Sequence, residues 1–111
     1  MTLFEWLLVG HLVGDFLLQN RWMAEKKTRY WVPLLIHCSV YTLAVSLLAL
    51  SAGGISWTGI VLIFAAHIIL DRRKFVDFWA NHITNAADIP WLKIMIDQSW
   101  HLVVLAAATL V

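Results

Sequence analysis

Seven ionisable side chains interrupt stretches that are otherwise apolar: His11, Asp15, His37, His67, Asp71, Asp97 and His101. Gln19 follows Asp15 by four residues, Lys74 follows Asp71 by three, and Gln98 adjoins Asp97. His11–Asp15, His67–Asp71 and Asp97–His101 are i, i+4 pairs, so on a helix each pair shares one face, a turn apart. Neutral imidazole with carboxylate is a donor set for Zn²⁺, Mn²⁺ or Fe²⁺ rather than for a thiolate-seeking ion. Zinc is the first expectation. Seven donors exceed what one tetrahedral ion needs and suffice for two ions with a bridging carboxylate and open water positions. The spare aspartates among Asp15, Asp71 and Asp97 are the candidate catalytic bases. Gln19, Gln98 and Lys74 are expected beside the centre, with Lys74 steadying an anionic substrate.

The elements that must position these groups are implied by composition. The chain has 111 residues, 61% hydrophobic and only 14% charged. Soluble domains run at roughly 45–50% apolar and about 25% charged, and small ones bury the least surface. A disulfide scaffold is excluded because Cys38 is the only cysteine, and disorder is excluded by the apolar content. The sequence predicts an integral membrane protein: an all-α, four-transmembrane-helix up-down bundle, a single domain over 1–111. The spans fall at about 2–20, 32–52, 56–74 and 92–111, each near the ~20 residues that cross a bilayer. Gly53-Gly54 reads as a tight turn between the second and third. Residues 75–89 are too polar to span; Phe75, Phe78, Trp79, Ile83 and Ala86 recur as one apolar stripe. That predicts a cytoplasmic amphipathic helix, or a continuation of the third span. Gly10 and Gly14 predict a close approach of the first span to a neighbour.

All eight basic residues fall in the connections after the first and third spans: Arg21, Lys26, Lys27, Arg29, Arg72, Arg73, Lys74 and Lys93. By the positive-inside rule both basic connections face the cytoplasm and both termini face outward, in a multi-pass protein of the bacterial inner membrane. This accounts for the basic run without nucleic acid, which is not expected as a partner. Trp22, Trp31, Trp79 and Trp91 flank the basic side, and Trp6 and Trp57 lie near the other face, as an aromatic belt requires. Trp100 is the exception. At about 1.5 Å per residue, His11, His37, His67 and His101 lie roughly 8–15 Å from the nearest basic residues, in one layer. Four polar stripes at one depth can converge. Ionisable groups inside spans are costly and usually functional.

The pattern His11-xx-Gly14-Asp15-Phe16-xx-Gln19, Trp22, a basic loop, His37, His67-xxx-Asp71-xx-Lys74 and Asp97-Gln98-xx-His101 resembles an uncharacterised family of small bacterial and phage membrane proteins, domain of unknown function 3307. It is also distantly similar to membrane-bound metal-dependent hydrolases that carry intramembrane His and Asp. That likeness implies a hydrolase acting from the cytoplasmic side on a lipid-linked or membrane-proximal (phospho)ester. Two alternatives stand beside it. One is a small non-catalytic subunit of a larger membrane complex, its His–Asp pairs structural; the other is a transporter of a metal or small molecule. Membrane lipid is the expected surrounding partner, and a homodimer is compatible with so small a bundle.

Overall fold

The computed structural model describes residues 1–111 and contains six α-helices and no strand. Helix α1 spans Leu3–Leu12. It starts on a reciprocal cap: Thr2 Oγ1 accepts from the Glu5 N–H at 3.2 Å, and the Glu5 carboxylate accepts from the Thr2 N–H at 3.4 Å. This gives Glu5 a local role. The chain continues through a π-helical turn, Val13–Leu17, closed by the Leu18 N–H on Val13 O at 2.9 Å. Asn20 then caps a short helix α2, Arg21–Lys26, by accepting from the Met23 N–H at 2.9 Å.

Helix α3, Trp31–Ala49, runs on through a 3₁₀ turn, Leu50–Ala52. Gly53 and Gly54 have φ of 94° and 83°, a left-handed pair that lets the Gly54 N–H reach back to Ala49 O at 2.8 Å. Helix α4, Trp57–Asp71, is capped by Ser56, which accepts from the Gly59 N–H and donates to Val111 O at 2.7 Å. Arg73 has φ 67° and ends α4 sharply. Helix α5, Lys74–His82, therefore turns away from α4 rather than prolonging it. Helix α6, Pro90–Ala108, begins with proline at its first position, where the missing N–H costs little.

Helices α1, α3, α4 and α6 pack in a ring, each against the next, with α2 against α3 and α5 against α4 and α6. Hypothetical Cβ atoms on Gly10 and Gly14 would stand 2.8 Å from Val45 Cα and 3.0 Å from Tyr41 Cα, so α1 lies on α3 nearly backbone to backbone. Leu7, Val45, Ala49, Ile63, Leu105 and Ala108 fill the end nearer the termini, with Tyr41 beneath them. Leu70, Val76, Ala80 and Ile96 fill the basic end.

The buried seam of α5 is Val76 and Ala80, while Phe78 and Ile83 are exposed, so the expected stripe is rotated. Phe75 and Trp79 meet Trp100 edge-on at ring-centroid distances of 5.2 and 5.0 Å, which explains the tryptophan that fits no belt. One helix, Trp31–Ala52 with its 3₁₀ turn, is long and apolar enough to cross a membrane. Helix α4 is apolar but spans only 15 residues. The expected all-α bundle is present, whereas one of its four expected spans combines the length and the apolarity that crossing requires.

Candidate metal centre

All seven ionisable residues singled out by type and spacing are buried, on α1 with its π turn, α3, α4 and α6. The i, i+4 spacing places His67 and Asp71 on the inner face of α4, and Asp97 and His101 on that of α6. The π turn brings Asp15 inward while Phe16 and Leu17 face out. Such single-turn π insertions recur at functional sites.

Four ligand atoms form a tight set. His37 Nε2 lies 3.0 Å from Asp15 Oδ1, 2.9 Å from Asp71 Oδ2 and 3.0 Å from His67 Nε2. His67 Nε2 lies 3.3 Å from Asp15 Oδ1 and 3.1 Å from Asp71 Oδ2. A single N–H can be aimed at only one of its three neighbours, and ionised carboxylates have no hydrogen to return. Two N–H groups aimed at the two carboxylates leave the His37 and His67 Nε2 atoms facing each other at 3.0 Å with no hydrogen bond between them, whereas a cation among the four engages them all. A tetrahedral ion with bonds of ~2.0–2.2 Å needs ligand–ligand edges of about 3.3–3.6 Å. Five of the six edges are 2.9–3.3 Å, within a few tenths of an ångström of that range, and the sixth, between the two carboxylates, is within 4.8 Å. The Nδ1 atoms of His37 and His67 have no hydrogen-bond partner, so both rings direct their only polar contacts inward through Nε2.

A second set shares Asp71: single ligand atoms of Asp71, Asp97 and His101 lie within 4.8 Å of one another. His101 Nδ1 donates to the backbone oxygen of Asp97 at 2.7 Å, which fixes the tautomer of a neutral ring. Its Nε2 lone pair then faces Asp71 Oδ1 at 3.1 Å. Two acceptors at that distance require a cation or an extra proton between them. Asp97 Oδ1 is buried without a hydrogen-bond partner. These buried His/Asp clusters could hold a metal ion.

Spacing groups His11 with the ligands, but both its nitrogens are taken. Gln98 Nε2 donates to Asp97 Oδ2 at 3.3 Å, leaving Gln98 Oε1 to accept from His11 Nε2 at 2.8 Å. His11 Nδ1 then accepts from the Tyr41 hydroxyl at 2.8 Å. His11 therefore orients its neighbours, with Asp15 Oδ2 3.6 Å away. Gln19 Nε2 donates to Asp15 O at 3.0 Å, bracing the π turn. Lys74 is exposed at the start of α5 and does not border the centre.

Two residues enter the site that spacing does not single out. Lys27, one of the charges that topology explains, is 6% exposed and donates from Nζ to Asp71 Oδ2 at 2.9 Å. The capped helix α2 delivers it. Tyr41 lies fully buried, one turn after His37, and stacks on His67 at 3.7 Å between ring centroids. The Arg72 guanidinium covers the Trp31 ring at 4.3 Å and ties the end of α4 to the start of α3. A polar cleft of about 70 Å³ opens beside Asp15, Asp71 and Asp97, with Gln19 and Gln98 in its walls.

The fold and site together define a small all-helical protein with a buried histidine–aspartate centre. The chain belongs to the family described as protein of unknown function (DUF3307), which matches over residues 3–111. No curated protein and no solved structure matches it.

Proposed function

We propose that this is an intramembrane metal-binding protein, a metal-dependent hydrolase that cleaves a lipid-linked or membrane-proximal ester from the cytoplasmic side. The observation that carries the reading is the tight buried set Asp15–His37–His67–Asp71, joined through Asp71 to the trio Asp71–Asp97–His101. Four protein ligands suit a closed site; three leave positions for water and substrate. Zinc fits the donor set best, with manganese or iron as alternatives. Bound there, the metal would acidify a water and polarise the ester oxygen. The chain's own part is then to position and to move a proton. Asp97 Oδ1, unpartnered and near the cleft, takes a proton from the attacking water; the leaving alkoxide recovers it as the ester bond breaks. Helices α1, α3, α4 and α6 are the spans, the basic connections face the cytoplasm, and both termini face outward in a bacterial inner membrane.

The direct His–Asp distances favour a second reading, a non-catalytic subunit whose polar cluster pins helices together. A carrier is disfavoured, because Leu7, Val45, Ala49, Ile63 and Leu105 close the bundle beyond the cluster with apolar side chains. Metal analysis of the purified protein separates the readings. Stoichiometric metal that is lost in His67→Ala supports the metal centre. Metal-free protein that merely loses stability in that variant supports the structural subunit.

A further inference from the structure

The cleft beside the centre is floored by Asp15, Asp71 and Asp97 and flanked by Lys27, Arg73 and Phe16. Arg73 is held at this edge by an unusual backbone, since its φ of 67° is a region that residues with a Cβ seldom occupy. Its Nε is buried and has no hydrogen-bond partner. A guanidinium turned into a polar cleft with a donor to spare asks for an acceptor.

Charge decides which acceptor. The cleft's three carboxylates outnumber its two cations, so the protein alone carries one net negative charge there. One divalent ion reverses that sign, and two leave a surplus of three positive charges. Loaded, the cleft attracts anions. A guanidinium fork beside an ammonium suits the several oxygens of a phosphoryl group. The volume of about 70 Å³ is roughly that of two waters, enough for such a group and too small for a chain or a ring. The remainder of the substrate must stay outside. Phe16, 58% exposed, lines the rim, and Leu17 beside it is 76% exposed, so the outward face of the π turn is apolar.

We propose that this cleft is a phosphoryl subsite: Arg73 and Lys27 hold the phosphate of a lipid-linked phosphate ester whose apolar portion runs along Phe16 and Leu17. The subsite rests on the metal-centre reading, and it moves the anion contact expected at Lys74 to residues that border the centre.

The test uses the full chain in detergent, loaded with zinc and assayed for metal before any phosphate is added. Binding of inorganic phosphate and of octyl phosphate is then measured by ³¹P NMR titration. Arg73→Gln should weaken both ligands about tenfold or more with metal content unchanged, and Arg73→Lys should restore part of the loss. Octyl phosphate should bind more tightly than inorganic phosphate, and Phe16→Ser should shrink that ratio. Micelle partitioning is common to both proteins and cancels from the comparison. Unchanged phosphate binding in metal-replete Arg73→Gln overturns the subsite. A ratio unaffected by Phe16→Ser overturns the lipid-linked part and leaves free phosphate as the ligand. Wild-type protein that takes up no metal overturns the metal-centre reading itself, and the subsite with it.

Discussion

Asp71 is the residue on which both ligand sets depend, and Asp71→Asn removes its charge while keeping its shape. Its carboxylate meets Lys27, His37, His67 and His101 at 2.9–3.1 Å. Losing a group that only supports a metal ligand costs typically 10–100-fold in affinity, so losing this shared ligand should cost at least about 100-fold. That corresponds to about 2.8 kcal/mol. The substitution also strands Lys27, an ammonium buried with its partner, and breaking one side of a buried pair costs roughly 3–5 kcal/mol. In a chain of this size that lowers the melting temperature by about 10 °C or more. The two losses can be separated. Adding Lys27→Met to Asp71→Asn removes the stranded charge, so the share of thermal stability lost with the ion pair should return, down to the level of chelator-treated wild type, while the metal does not. The assay is metal content after exhaustive dialysis, beside a thermal melt of each detergent-solubilised variant. A double variant that keeps stoichiometric metal would refute the assignment of Asp71 as the shared ligand. One that stays as unstable as the single variant would refute the pairing argument.

Metal-bound imidazoles must be neutral and their carboxylate partners ionised, so protons compete with the ion. Thermal stability should therefore fall between pH 7 and pH 5, and a chelator at pH 7 should reproduce the fall; a chelator-insensitive protein that holds its stability on acidification contradicts the metal centre. His11→Gln should retain full metal, because both His11 nitrogens are spent on Tyr41 and Gln98, yet lower stability by about 1–3 kcal/mol through the broken buried bonds. Loss of metal in that variant, measured by elemental analysis, would return His11 to the ligand set. Cysteines placed at Lys26 and Gly53 should react with a membrane-impermeant thiol reagent from opposite sides of the membrane; labelling from one side defeats the proposed topology.

The His–Asp pairs are legible in the sequence because helical periodicity turns a spacing of four into one shared face, and their common depth implies that they converge. Other features depend on contacts that no spacing encodes. Tyr41 stands one turn from His37, but an aromatic inside an apolar run reads as filler. Lys27 belongs to a basic loop whose charges topology already explains, and only the short helix α2, six residues long, carries it inward. Arg72-Arg73-Lys74 contains neither glycine nor proline, so nothing local announces the left-handed residue that parts α4 from α5. The engagement of His11 by Gln98 joins residues 87 positions apart. Apolarity alone overestimates the first helix, because its run of apolar residues hides the end of regular structure at Leu18.

The π-helical turn at Val13–Leu17 has a bearing on how this chain tolerates change in length. An extra residue accommodated in one turn shifts the angular phase between the segments on either side of it. Deleting any residue between Leu12 and Leu18 would let the turn relax to α-helix, and each residue of an α-helix contributes about 100° of rotation. Gly10, locked against Val45, cannot rotate to absorb the difference. The change would fall on the segment leading into α2, carrying Lys27 away from Asp71. Insertions and deletions here are therefore far more damaging than substitutions of the outward-facing Phe16 or Leu17. Apart from Asp15 and Gly14, the stretch works as a spacer whose residue count sets the aim of the segment that follows it.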